Sequence, residues 1–223
     1  MGFSVYVEIG EKRTFAGAIE WPGWCRGGKD GATALQALLE YGRRYERALG
    51  AARLGFKAPV KLSDLEVTEK VRGSTTTDFG APGAAPRRDQ DTVDEAELRR
   101  FEKVLGACWR EFDAAVRGAY GKTLRRGPRG GGRDLRKMIE HVVGADQAYL
   151  AALGWTFPGP TGSGAEDLPK VREAIFAGLR AAAQGKIPVK GPRGGRRWSP
   201  RYFVRRSAWH VLDHAWEIED RTP

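Results

Sequence analysis

Two histidines four residues apart, His210 and His214, form the clearest chemical signal in this 223-residue sequence. On a helix this spacing puts both imidazoles on one face, with their Cβ atoms about 6 Å apart, and it offers two nitrogens to one metal ion. The third and last histidine of the chain, His141, falls on the apolar stripe of another predicted helix. Three neutral imidazoles that leave a fourth position open are typical of a catalytic zinc site, and they also suit nickel or iron.

These histidines could instead be ordinary core residues, because a single His on an apolar helix face is more often hydrogen-bonded within the core than bound to a metal. The combination of all three favours the metal site. Three imidazoles without partners in an apolar interior would cost free energy that a bound ion removes. We therefore predict a divalent metal held by His141, His210 and His214.

The histidines belong to a predicted all-α region over residues 92–223. Apolar residues recur there every three or four positions in four segments, which predicts a four-helix bundle. Thr92 and Glu95 match a capping box for the first helix, Gly154 is expected to end the second, and Ser199 and Pro200 to begin the fourth. The helical pattern covers residues 98–116, 135–149, 171–179 and 200–220.

A smaller α+β module is predicted ahead of this bundle, over residues 1–72. Residues 3–20 alternate in the manner of two strands, residues 25–28 suit a third, Asp30 can cap a helix, and residues 65–71 suit a returning strand. The order β-β-β-α-β follows. Residues 73–91 are rich in Gly, Ala and Pro, a composition typical of a linker.

The formal net charge of +10 is concentrated in two Gly- and Arg-rich stretches, residues 122–137 and 186–206. They could meet phosphates or carboxylates, or they could simply be solvated loops. No apolar run is long enough to span a membrane and the chain does not begin like a secretory signal. Two cysteines make no disulfide framework, which favours the cytoplasm. A Ser-His-Asp arrangement, a phosphate-binding glycine loop and a zinc ribbon are all missing from the sequence.

The region 92–220 resembles the DinB/YfiT-like superfamily of bacterial four-helix proteins. The match is carried by His141 in KMIEHVVGADQAYLAALG and by the pair His210 and His214 in RRSAWHVLDHAWEIEDR. The resemblance implies an up-down-down-up bundle, with residues 155–164 in its long crossover. It also implies a metal site on these three histidines.

Several branches of that superfamily resemble thiol S-transferases, in which the metal holds the sulfur of a small thiol as a reactive thiolate, while other members isomerise or hydrolyse small substrates. A thiol S-transferase or related transferase or hydrolase is therefore the implied function, with a low-molecular-weight thiol and an electrophilic small molecule as partners. Arg125, Arg126 and Arg197 in the basic loops are candidate anchors for an anionic group. Members of the superfamily often pair, which implies a homodimer.

Glu217 lies three residues beyond His214 and could orient that ligand or accept a proton. It could equally be a carboxylate that forms ordinary salt bridges. Cys108 falls on the apolar stripe of the first bundle helix, where we expect it to be inert packing.

The stretch around Trp21-Pro22-Gly23-Trp24-Cys25 resembles the HicB-like antitoxin fold. This supports a second hypothesis, a non-enzymatic regulatory protein whose first module and basic loops bind a protein partner or nucleic acid. The module could also cover the metal site through Trp21 and Trp24, although these residues are more naturally packed against their own sheet. A structural rather than catalytic metal is a third possibility.

Overall fold

A four-stranded mixed sheet forms the first part of the structure, a computed structural model that describes residues 2–127, 132–159 and 164–223. The strands are β1 (Phe3–Ile9), β2 (Thr14–Ala18), β3 (Cys25–Gly28) and β4 (Leu65–Arg72), in the order β3-β2-β1-β4. β1 pairs antiparallel with β2 and parallel with β4, and β2 pairs antiparallel with β3.

The parallel return of β4 requires a crossover, which the helices α1 (Gly31–Glu40) and α2 (Gly42–Leu49) provide. The predicted order β-β-β-α-β is confirmed, as is the N-cap, because the Asp30 side chain accepts a hydrogen bond from Thr33 N. The single predicted helix is two helices. They meet at Tyr41, whose ring stacks under the guanidinium of Arg26 at 3.8 Å.

The segment 73–91 has the composition of a linker, yet it contains the short helix α3 (Thr75–Phe79) and a 3₁₀ turn at Arg87–Gln90. The buried carboxylate of Glu8 on β1 organises it, accepting hydrogen bonds from the Thr77 hydroxyl and from the backbone N–H groups of Gly83 and Ala84. Composition alone gives no sign of these contacts, because the acceptor lies some seventy residues earlier in the chain.

Four longer helices follow: α4 (Glu95–Ala119), α5 (Leu135–Leu153), α6 (Leu168–Ala183) and α7 (Pro200–Arg221). The capping box predicted at Thr92 and Glu95 is wrong. The α4 N-cap is Asp94, whose side chain accepts from Glu97 N, while Val93 is buried and the Thr92 carbonyl accepts from Arg201. These tertiary contacts move the first turn by two residues.

The other predicted helix ends are confirmed. Gly154 ends α5 with a φ of 97°, a left-handed conformation that suits glycine. α6 begins at Leu168 and has Pro169 in its first turn, a position that suits proline. The Ser199 hydroxyl caps α7 by accepting from Tyr202 N, and Pro200 is the first helical residue.

The helix α7 lies at the centre of the structure. It packs against α4, α5 and α6, and one continuous apolar core runs from Val5 on β1 to Ile218 near the end of α7. The sheet side of α7 is held by the buried Arg205, which pairs with Asp89 at 2.7 Å and donates to Ala18 O. The position of α7 is therefore set by both parts of the chain.

Parts of two predicted loops, residues 128–131 of the first basic stretch and residues 160–163 of the crossover, lie outside the described residues. In the part of the chain that the structure covers, no helix combines the length and apolar character needed to cross a bilayer.

Candidate metal centre

The three histidines come together. His141 projects from the second turn of α5, and His210 and His214 project from adjacent turns of α7. One ligand nitrogen from each lies within 4.8 Å of the others. The predicted ligands are thus close enough to hold a metal ion, and they come from two helices that are packed directly on each other.

His141 Nε2 and His210 Nε2 lie 3.2 Å apart. Two nitrogens bound to one tetrahedral zinc ion at 2.0–2.1 Å lie about 3.3 Å apart. The pair is therefore already at the spacing that a shared ion requires. The remaining separations, at most 4.8 Å, are within the reach of a small rotation of a histidine side chain.

A carboxylate orients the third ring. His214 Nδ1 lies 3.1 Å from Glu217 Oε2, and the other oxygen of Glu217 accepts a hydrogen bond from Arg221 at 2.7 Å. A carboxylate accepts only, so the proton of His214 belongs on Nδ1 and Nε2 keeps the lone pair that a metal uses. Glu217 thus contacts both a triad histidine and the salt-bridge partner Arg221.

The environment favours the neutral form of His141 and His210. Burial lowers the pKa of His141 to about 4, and its neighbours His214 and Arg133 add to the effect. Burial also lowers the pKa of His210 well below its usual range, helped by its neighbours His214 and His141. The hydrogen bond from His214 lowers the pKa of Glu217. Neutral imidazoles beside an ionised carboxylate are the protonation states that favour metal binding.

The triad has a buried side and an open side. His210 and His214 are buried, with 5% and 8% of their surface exposed, whereas His141 is partly exposed. His210 Nδ1 is a buried nitrogen without a hydrogen-bond partner. A small molecule would therefore reach the site past His141.

The predicted anion anchors do not converge on the triad. Arg125 donates to the carbonyls of Asp220 and Thr222, and so caps the end of α7. Arg197 donates to Pro188 O and precedes the start of α7, ten helical residues or about 15 Å before His210. Arg126 is exposed. The two basic loops thus lie at opposite ends of the helix that carries the metal ligands.

Arg206, one turn before His210, is the last residue of the second basic stretch but was not singled out as a candidate anchor from the sequence. Its guanidinium lies 5.3 Å from the ring of Tyr149 and 4.7 Å from the ring of Trp209. The Tyr149 ring also contacts His210, with centroids 5.5 Å apart. The signal was present, since residues 206, 210 and 214 repeat every four positions along one helix face.

Other candidates are remote from this chemistry. Cys108 is fully buried in the core of α4, as predicted, and burial raises the pKa of its thiol above its usual range. Trp24 is buried against Tyr45 and Phe56 in the first module, and Trp21 packs on Phe56. Both tryptophans therefore support their own module and not the metal site.

Two sizeable cavities lie away from the triad. One of about 360 Å³ is enclosed between the segment after α6 and residues 90–93 and includes Arg197. Another of about 540 Å³ lies between Trp155 and one face of α6. Neither is lined by a triad histidine.

Comparison of the chain with models of protein families, with curated proteins and with solved structures gave no match. The site itself, a cluster of three imidazoles with an orienting carboxylate, is therefore the ground on which a function can be argued.

Proposed function

We propose that this protein is a divalent-metal-dependent enzyme of DinB type, most simply a thiol S-transferase or a related small-molecule transferase or hydrolase. The observation that carries the proposal is the meeting of His141, His210 and His214 within 4.8 Å. The chain has three histidines, and all of them serve this one cluster.

The arrangement of the long helices supports a DinB-type bundle. α7 contacts α4 and α5, and α6 contacts the same two helices, so that the four form a closed ring of neighbours. The histidines project from the neighbouring pair α5 and α7. Metal sites in four-helix bundles are built in this way, from side chains on facing helices.

The donor set supports zinc as the resident metal. Three imidazole nitrogens with no protein carboxylate among the ligands suit zinc, and they would also accept nickel or iron. The carboxylate of Glu217 bonds to the far nitrogen of His214, which is the outer contact typical of histidine ligands in zinc enzymes.

The bound ion would lower the pKa of a coordinated thiol or water and make it nucleophilic at neutral pH. The protein's own residues have separate tasks. The three imidazoles would hold the ion, and Glu217 keeps the His214 ring in one tautomer. Because His141 is partly exposed, a thiol and an electrophilic small molecule would approach the ion on that side.

The first module contacts α7 at residues next to the histidine pair. Arg26 pairs with Asp213 at 2.7 Å, and Phe15 packs edge-on against Trp209 with centroids 6.1 Å apart. Both contacts are made to residues of α7, Asp213 and Trp209, that directly precede a triad histidine in the sequence. We infer that the module is a scaffold for the helix that carries the histidine pair.

The test begins with metal content. Protein purified without chelator should contain about one zinc, nickel or iron per chain, and His210→Ala and His214→Ala should reduce this content by more than tenfold while circular dichroism stays unchanged. Metal content that survives both substitutions would overturn the site. Full occupancy without activity toward thiol acceptors, together with a large loss of thermal stability on metal removal, would assign the ion a structural role.

The second step is turnover. The metal-loaded protein should accelerate the loss of free thiol in mixtures of a small thiol with 1-chloro-2,4-dinitrobenzene, an electrophile whose product absorbs in the near ultraviolet. The rate should vanish in the chelated protein and return with added zinc. An equal rate with and without metal would contradict a metal-bound nucleophile.

A further inference from the structure

Arg206 differs from every other arginine on α7. That helix carries Arg201, Arg205, Arg206 and Arg221. Arg201 binds Glu97 and the Thr92 carbonyl, Arg205 binds Asp89, and Arg221 binds Glu217. Arg206 has no carboxylate or carbonyl partner among the described residues, and its Nη1 atom is buried without a hydrogen bond.

A guanidinium in this position needs compensation. Its contacts with Tyr149 and Trp209 supply cation–π attraction, but they leave the buried Nη1 without a hydrogen-bond acceptor. A buried donor without an acceptor is costly, and a charged one more so. The structure therefore contains a buried, charged donor, Arg206 Nη1, whose missing acceptor an anionic ligand would supply.

This unpaired cation lies next to the proposed metal. Arg206 and His210 are one helical turn apart on α7, which puts their Cβ atoms about 6 Å from each other. The Tyr149 ring contacts both of them, 5.3 Å from the Arg206 guanidinium and 5.5 Å from the His210 ring. A ligand of a few atoms could thus touch the ion and Arg206 together.

The charges around the site favour a negatively charged ligand. The carboxylate of Glu217, which contacts His214, is already matched by Arg221. Arg133 adds a second positive charge that acts on His141 and His210. A divalent ion would raise the positive excess further.

We propose that Arg206 is the anion-binding residue of this site and that the substrate or thiol carries a carboxylate a few bonds from the atom that meets the metal. The planar guanidinium fork matches a carboxylate in a bidentate arrangement, and the Tyr149 and Trp209 rings hold the fork in place. This inference rests on the proposed function, and it replaces the basic loops with a residue of α7 as the anchor.

The test uses cobalt(II)-loaded protein, in which a bound thiolate produces a charge-transfer absorption. Two probes are titrated, 3-mercaptopropionate and its neutral amide, 3-mercaptopropionamide. The wild-type protein should bind the carboxylate probe about 10- to 100-fold more tightly than the amide, a range expected for a hydrogen bond between charged groups.

Three variants locate the effect. Arg206→Gln should remove the preference for the carboxylate and leave the amide affinity within about twofold. Arg206→Lys should retain part of the preference, because it keeps the charge and loses the fork. Arg193→Gln is the matched control, since this exposed arginine of the second basic loop carries the same charge. It should change neither affinity.

The outcomes separate the two proposals. Equal affinities for both probes in the wild type, or a preference that survives in Arg206→Gln, would overturn the role of Arg206 while the metal-thiol site stands. If neither thiol changes the cobalt spectrum, the proposed thiol chemistry fails. Calorimetry with propionate then decides the anion site: heat that disappears in Arg206→Gln supports it, and no binding by the wild type refutes it.

Discussion

The carboxylate of Glu217 lies 3.1 Å from Nδ1 of His214, one turn further along the same helix. The second oxygen of Glu217 is bonded to Arg221 at 2.7 Å, so the carboxylate is held from both sides. This contact selects the tautomer of His214 in which Nε2 keeps its lone pair. A stripe of four residues on α7 thus contains two candidate ligands, the carboxylate that contacts one of them, and the arginine that pairs with this carboxylate.

Replacement of Glu217 by Gln should weaken zinc binding by about 10- to 100-fold, the usual cost of losing an orienting partner of a histidine ligand. The physical reason is that an amide cannot accept from His214 and pair with Arg221 as a carboxylate does. Competition with a zinc-sensitive chelating dye measures the change. Glu219→Gln, which removes an equal charge from the same helix but contacts Arg44 and Arg47, should leave the affinity unchanged. A loss of similar size in both variants would contradict the orienting role.

Replacement of Asp89 by Asn should destabilise the fold strongly. Asp89 is fully buried and pairs with the buried Arg205 through both oxygens at 2.7 Å. Breaking a buried pair leaves one charge uncompensated and costs about 3–5 kcal/mol. Urea unfolding followed by tryptophan fluorescence measures this loss in the free energy of unfolding.

The neighbouring Asp91 is the control for that experiment. Its side chain is 54% exposed and pairs with Arg88 on the surface, so Asp91→Asn should cost less than about 1 kcal/mol. Comparable losses for the two variants would show that the burial of the Asp89 pair is unimportant for stability.

Asp146 on α5 should make stability depend on pH. Both of its oxygens are buried without hydrogen-bond partners, and burial raises its pKa from 3.8 to about 7, against the opposing charge of Arg172. Between these values the folded protein holds a proton that the unfolded chain has released. The free energy of unfolding should therefore fall as pH rises from about 4 to 7, by at most about 1.4 kcal/mol per pH unit.

Asp146→Asn removes this titration and should flatten that part of the pH profile, with a gain relative to wild type at pH 8. Urea unfolding at several pH values provides the measurement. Asp91→Asn should retain the slope of the wild type. If Asp146→Asn keeps the wild-type slope as well, another group is responsible.

Two glycine substitutions should act in opposite directions. Gly23 has a φ of +95°, and an added Cβ would lie 3.0 Å from the Cβ of Ala208 on α7. Gly23→Ala should cost about 1–3 kcal/mol from strained backbone and crowding. Gly118, near the end of α4, faces open space, and Gly118→Ala should add about 0.4–1 kcal/mol. Thermal denaturation compares them. A neutral Gly23→Ala would mean that this turn does not press closely on α7.

The ends of the helices were largely predictable from the sequence, because they depend on nearby residues. Asp30, Gly154 and Ser199 act as caps in the structure as predicted. The start of α4 was not predictable in this way. Its position depends on Arg201, more than a hundred residues later, which binds the Thr92 carbonyl. The short helix in the segment 73–91 escaped prediction for the same reason, since its organising carboxylate is Glu8.

In the candidate site, too, the local sequence predicted the residues and the tertiary packing decided their distances. His141, His210 and His214 were recognisable because a four-residue spacing and an apolar helix face are properties of the local sequence. The distance of 3.2 Å between His141 Nε2 and His210 Nε2 depends on how α5 packs against α7, which no local sequence pattern predicts.

The pairing of the arginines could not be predicted from the local sequence. The sequence pointed to Arg125, Arg126 and Arg197 in the basic loops, because charge density is visible there, and it passed over Arg206. Which arginine keeps a free guanidinium depends on where the acids of distant segments lie. Asp89 and Glu97 reach Arg205 and Arg201 through the fold, and Arg206 faces Tyr149 and Trp209 instead. Residue type and spacing set the metal ligands, whereas long-range packing set the charge that surrounds them.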